Sequence, residues 1–333
     1  MTMNELRAGM QGPEYGFLRD EVQLGQNIII LTVAGSIAYG TNLGTSDIDL
    51  RGVAVETEAV LFGLKTFEQF EDRATDTVIY GLKKFIHLCL ACNPNMMELL
   101  GTNGEHCVIL TEAGRLLRDN SELFLSKRAI QSFGNYATAQ LHRLQNALIR
   151  NRPNNGEAEE HILNRVHNQI AHLKRNFTEL TGGKLELYLD SSKKQGMDTE
   201  IHMDIELRHF PLRDFKTIYS DISAVVRDYS GVNHRNNKKD EPHLYKHAMH
   251  LMRLLATGTD ILNGKGIVTY RGDERDLYLS IRQGMLSFEE IFRLVDQYEA
   301  KFKLASQQTR LPDEPDFQRV EKLMTSIYRN CRG

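Results

Sequence analysis

Cysteine is scarce: four in 333 residues do not make a disulfide framework, and a chain of this length can bury a core without one. Long apolar runs are missing too. None approaches the ~20 residues of a membrane span, and the polar start MTMNELRAGMQGPEYG has no secretory apolar core. No membrane partner is expected, and the cytoplasm is the default location. Neither sign of charge dominates: 41 Lys and Arg against 44 Asp and Glu leave a net charge of −3. That excludes coating nucleic acid by bulk charge, so any contact with RNA or DNA needs a local patch. What is present is ordinary for a globular protein, 41% hydrophobic and 26% charged, with length enough for two domains.

The chain is organised around GSIAYGTNLGTSDIDLRG, Gly35 to Gly52. A β-branched apolar run, Asn27 to Ala34, precedes it and reads as a strand buried on both faces that ends at a small-residue corner. Ser46 to Val55 reads as a second strand, because polar and apolar residues alternate with period two up to Arg51. Asp47, Asp49 and Arg51 then share one face, with the two carboxylates on the order of 7 Å apart. Unpaired, they would repel; divalent cations between and beside them remove the conflict. Hard oxygen ligands suit Mg²⁺, which keeps several waters and also binds substrate phosphates. Gly35-Ser36 supplies the complementary part: a glycine lets the backbone close on an anion while backbone N–H groups and a hydroxyl donate to it.

An apolar residue, Gly-Ser, about ten residues and then Asp-apolar-Asp, here Ala34, Gly35, Ser36 and Asp47-Ile48-Asp49, resembles the signature of the DNA polymerase β-like nucleotidyltransferases. The fuller string GS…YGTN…SDIDLRGV is similar to one branch, the RNA ligase-associated predicted nucleotidyltransferases called RlaP. The resemblance implies an α+β fold. Residues 1–125 would form a catalytic domain, a small mixed sheet flanked by helices, and 126–333 a mainly helical domain with a β-hairpin at about 184–210. It implies two Mg²⁺ or Mn²⁺ ions on Asp47, Asp49 and a third carboxylate, and an NTP held by Gly35, Ser36, Ser46 and Arg51. Glu68, Glu71, Asp72 and Asp76 are available as the third acid. Asp76 is chosen because it opens a β-branched run into a helix, and because Tyr80, Leu82 and Phe85 resemble the family's Tyr-x-Leu-x-x-Phe. Its inherited role is metal ligand and acceptor of the nucleophile's proton.

Cys89 and Cys92 form a C-x-x-C on the helix expected over Lys83–Ala91; sharing a helix face, they read as buried thiols. Cys92-Asn93-Pro94-Asn95 ends that helix with turn chemistry. From Lys127 the spacing turns helical, with a second helix over Glu157–Leu180 whose His161, His167 and His172 read as surface residues. Strands are expected over Lys184–Asp190 and Ile201–Phe210, then a helix over Asp214–Tyr229 and a basic loop, His234 to Lys239, suited to an RNA contact. In the helix that opens at Pro242, His243, Lys246, His250 and Arg253 fall opposite the apolar face Leu244, Ala248, Leu251 and Leu255. YKHAMHLMRLL resembles the family's Lys-x-x-x-His-x-x-Arg-Leu, which assigns Lys246 to the β/γ-phosphates with His250 and Arg253 in support. Ser287 and Glu290 form a capping box. Arg275 and Arg282 are candidates to meet acidic groups of the first domain or the substrate.

The function expected is transfer of an NMP from an NTP to an acceptor hydroxyl, releasing pyrophosphate, with an RNA end as acceptor. Modification of a protein or small molecule fits the same chemistry, and a non-catalytic nucleotide- or RNA-binding module is the alternative of another class. Oligomeric state is not legible.

Overall fold

The computed structural model describes residues 3–44, 46–151, 184–191, 199–206 and 241–331, with isolated positions between 208 and 223. The chain divides into two compact units, residues 1–142 with 245–333, and residues 143–244. The division read from the sequence near residue 125 falls inside the first of them.

The first unit opens with α1 (Met3–Gly9) and α2 (Phe17–Asp20), whose Leu6 and Leu18 join the core beneath the sheet. There follow β1 (Ile28–Val33), α3 (Gly35–Ala38), β2 (Leu50–Ala54), α4 (Glu58–Leu61), β3 (Gln69–Asp72), β4 (Thr77–Gly81), α5 (Leu82–Leu90), α6 (Pro94–Gly101), β5 (Cys107–Leu110), α7 (Glu112–Asp119) and α8 (Arg128–Asn151). The five strands form a small mixed sheet in the order β3-β4-β2-β1-β5, parallel only between β2 and β4. Every residue of β1 is buried, as an unbroken β-branched run in a central strand should be.

The second strand is shorter than the alternation suggests. It begins at Leu50, and Ser46 to Asp49 enter it as irregular chain. The reason lies in its partner: Val33 and Leu50 are the last matched pair of β1 and β2. Beyond Val33 the chain turns away at Gly35, so residues before Asp49 have no ladder to join. One bond, Ala34 N–H to the Asp49 carbonyl at 2.9 Å, extends the pairing past that point.

Local signals set the helix starts. The Asn93 side chain accepts from the Asn95 N–H at 3.0 Å with Pro94 in the first turn of α6, which gives the Asn-Pro-Asn segment an architectural job. Cys89 and Cys92 are buried free thiols, pushed up in pKa by burial.

Four helices follow in the C-terminal part: α9 (Glu241–Leu262), α10 (Arg275–Arg282), α11 (Phe288–Gln308), opened by the Ser287–Glu290 capping box, and α12 (Phe317–Asn330), which packs on α7 and α5. Buried Glu56, just after β2, anchors α12 by accepting from the Lys83 N–H at 2.9 Å and from the Tyr328 hydroxyl. In the other unit β6 (Lys184–Ser191) pairs antiparallel with β7 (Thr199–Glu206). The helices read over 157–180 and 214–229, the histidines of the first, and the basic loop 234–239 lie outside the described residues. Among the described residues no helix is long and apolar enough to cross a membrane.

Candidate active site

The corner after β1 is where sequence and geometry meet. Gly35 has a φ of 57°, and a Cβ there would lie 2.1 Å from Asp49 Oδ2. Only glycine leaves that space to the carboxylate. Its N–H does not point into an open phosphate cradle, as the sequence led us to expect. It donates to Glu98 Oε1 on α6 at 2.9 Å. Half-buried Ser36 follows, its carbonyl tied back to the Thr41 N–H at 2.8 Å.

Asp49 and Asp76 stand directly before β2 and β4. Because those strands are parallel with Leu50 opposite Thr77, both acids emerge at the same end of adjacent strands. The Leu50 N–H donates to the Asp76 carbonyl at 3.1 Å, and the two carboxyls hydrogen-bond to each other. Burial first, then the bond and charge of Asp76, push Asp49 up to about 6. Asp76 is lowered, first by the hydrogen bond from Asp49 and further by Arg51. Two carboxyls sharing a proton is how such a pair avoids repulsion. Asp76 also has a φ of 44°, a left-handed conformation that a non-glycine residue adopts at a cost.

Arg51, expected among the residues that hold the NTP, bonds the Asp76 carboxylate here. Its guanidinium donates to the Asp76 carbonyl at 2.6 Å, to Asp76 Oδ1 at 3.1 Å and to its neighbour's carbonyl at 2.8 Å. Exposed Lys246 lies within electrostatic reach of both Asp49 and Asp76. Asp47 is set apart from the pair, in the field of Arg282.

The basic stripe on α9 is not wholly a solvent face. Arg253 is buried at 5% exposure, its guanidinium 3.7 Å from the centroid of the Tyr39 ring and 3.0 Å from His250 Nδ1. Helical periodicity placed it opposite the core, but the segment after β1 covers that face of the helix as well. Arg275 and Arg282 on α10 grip the loop between the two motif halves. Arg275 donates to the Gly40 carbonyl at 2.8 Å, and Arg282 to the Thr41 carbonyl at 2.9 Å and Ser46 Oγ at 3.0 Å. Ser46 Oγ also accepts from the Leu43 N–H at 2.8 Å, so its oxygen organises the loop.

Glu98 and Tyr39 were not singled out from sequence. The Tyr39 hydroxyl bonds Glu98 and Thr257, and Thr257 Oγ1 accepts from Arg271, making a buried polar chain behind the corner. The available signal was a single acid inside the apolar run Met96-Met97-Glu98-Leu99-Leu100.

Residues 16–175 match the family model of RlaP, the RNA repair pathway DNA polymerase beta family. The RlaP match contains the whole sheet, Gly35, Asp47, Asp49, Asp76 and Glu98, and stops short of α9 and α10. Neither curated proteins nor solved structures gave a match. The family implies a nucleotidyltransferase-type activity, and such enzymes generally use divalent metals. Among the described residues no three His, Cys, Asp or Glu side chains are gathered as a closed metal cage. The carboxyl pair nevertheless suits Mg²⁺, which takes one or two carboxylates and completes its shell with water and substrate phosphate. A cation there would offset the repulsion between the two carboxylates, and the side-chain-free Gly35 keeps the approach to Asp49 open.

Proposed function

We propose that the chain is a Mg²⁺- or Mn²⁺-dependent nucleotidyltransferase that moves an NMP from an NTP to an RNA end. The reading rests on the Asp49–Asp76 pair, set at the same end of two parallel strands beside the Gly35 corner and inside the RlaP match. Asp49 and Asp76 would together hold the catalytic ion, and Asp47 would contribute only to the second. Bound there, the ions neutralise charge on the attacking and leaving oxygens.

Ser36 receives the triphosphate, with the Gly35 amide left on Glu98, and Lys246 reaches its β/γ-oxygens from α9. Arg51 keeps Asp76 in place, while Arg275 and Arg282 hold the loop that carries Ser46 and Asp47. The acceptor hydroxyl oxygen forms a bond to the α-phosphorus as the bond to the bridging β-oxygen breaks. Pyrophosphate leaves with that electron pair, and the hydroxyl proton passes to the Asp49–Asp76 pair.

Incubation with each α-labelled NTP, Mg²⁺ or Mn²⁺ and a mixed RNA pool tests this directly. Wild type moves label to RNA, whereas Asp49→Asn and Asp76→Asn do not. Label appearing on protein reassigns the acceptor, and NTP binding without pyrophosphate release overturns the transferase.

A further inference from the structure

Gly35 is held from two sides by carboxylates. Its Cα face lies against Asp49 Oδ2, where an added Cβ would come within 2.1 Å, and its N–H is bonded to Glu98 Oε1 at 2.9 Å. Glu98 thus fixes the residue whose left-handed turn leaves room for Asp49. The carboxylate is itself fixed. Its pKa is raised by burial against the favourable fields of Arg253 and the Gly35 amide, and its side chain bonds the Tyr39 hydroxyl. Tyr39 is wholly enclosed, with Arg253 across its ring and Thr257 on its hydroxyl. The Glu98 carbonyl contributes too, accepting from Thr102 Oγ1 at 2.8 Å and Thr269 Oγ1 at 3.1 Å, which pins this turn of α6 to the segment after α9.

We infer that Glu98 is a positioning residue: through the Gly35 amide it sets the corner that seats Asp49 and receives the triphosphate. This rests on the nucleotidyltransferase reading, and it explains why an acid sits alone in an apolar helix run. An acid without that job would be an expensive choice at a partly buried site. It also gives Arg253 a role other than phosphate binding, as the cation packed over the Tyr39 ring that backs Glu98.

The test compares Glu98→Gln, which keeps an oxygen acceptor for the Gly35 N–H, with Glu98→Met, which keeps the volume and loses the acceptor. Hydrogen exchange at the Gly35 amide, followed by NMR on ¹⁵N-glycine-labelled full-length protein, reads the bond without reference to catalysis. The affinity for Mg²⁺-ATP and the transfer rate read its consequence. We expect Gly35 exchange near wild type in Glu98→Gln and at least about tenfold faster in Glu98→Met. ATP affinity or turnover should fall about 10- to 100-fold in Glu98→Met and less than about threefold in Glu98→Gln, as an ångström-scale misplacement predicts. Unchanged exchange in Glu98→Met overturns the inference, as does fast exchange with undiminished ATP binding and transfer. So does an equal loss in both variants, which would make the charge and not the Gly35 bond the cause. If wild type binds ATP and transfers nothing, the transferase reading falls while the ATP arm still judges Glu98. If it binds no ATP, both fall.

Discussion

Gly35→Ala isolates the corner from the rest of the fold. The new methyl carbon would lie 2.1 Å from Asp49 Oδ2, while ordinary contact starts at 3.4 Å, so the oxygen must retreat by the difference, 1.3 Å. The backbone cost is separate: a φ of 57° costs an alanine about 1–2 kcal/mol. At about 2–4 °C per kcal/mol for a domain of this size, thermal unfolding should drop by only a few degrees. Transfer should suffer far more, because a displacement of roughly 1 Å at a reacting group costs about 10²-fold in rate, and moving Asp49 also breaks its bond to Asp76. Gly264→Ala is the matched control, since φ there is 77° and nothing lies within 4 Å of the added carbon. It should show a similar loss of stability and unaltered transfer. The measurement is α-labelled NTP turnover beside a melting curve for each variant. A folded Gly35→Ala protein within about threefold of wild-type turnover would refute the reasoning.

Asp76 adopts its left-handed φ at a cost, so Asp76→Gly should melt at or above wild type while transfer drops on the order of 10²–10³-fold; a clear fall in melting temperature would show that no strain is stored there. Arg282→Ala removes charge-assisted bonds to the Thr41 carbonyl and Ser46 Oγ, each worth about 1.5–3 kcal/mol. Transfer should fall at least tenfold, and Arg282→Lys should not restore it, because one ammonium cannot span both acceptors; full recovery by lysine would sink this account. The pH dependence has a definite sign. Asp49, raised from 3.8 to about 6, brings stability that is complete below 3.8 and lost as pH rises through about 6. Asp76, lowered, brings stability present above 3.8 and lost only at more acid pH, so Asp49 alone of the pair titrates between pH 5 and 7.5. Without metal, wild type should lose more melting temperature over that interval than Asp49→Asn, and Mg²⁺ should raise it more at pH 7.5 than at pH 5. Parallel curves for the two proteins would refute the assignment.

What sequence alone determined here is local and periodic. The β1 run, the glycine corner, the Asp-x-Asp, the caps at Asn93 and Ser287 and the long helix from Arg128 are written in neighbouring residues, and neighbouring residues form them. Asp76 could be named from its place before a strand, but its meeting with Asp49 depends on β2 and β4 running parallel in register, a pairing between segments far apart in the chain. The same holds for Glu98 on the Gly35 amide, Arg253 over Tyr39, and Arg275 and Arg282 on the loop from Gly40 to Ser46. Helical spacing tells which residues share a face; it cannot tell what later packs against that face. Arg253 therefore read as exposed and is buried, and the amide that read as a phosphate donor is already bonded to a carboxylate. Composition and short-range pattern specified the elements and the chemistry they carry, while tertiary packing decided which of those groups touch, because each such contact joins residues that no local rule connects.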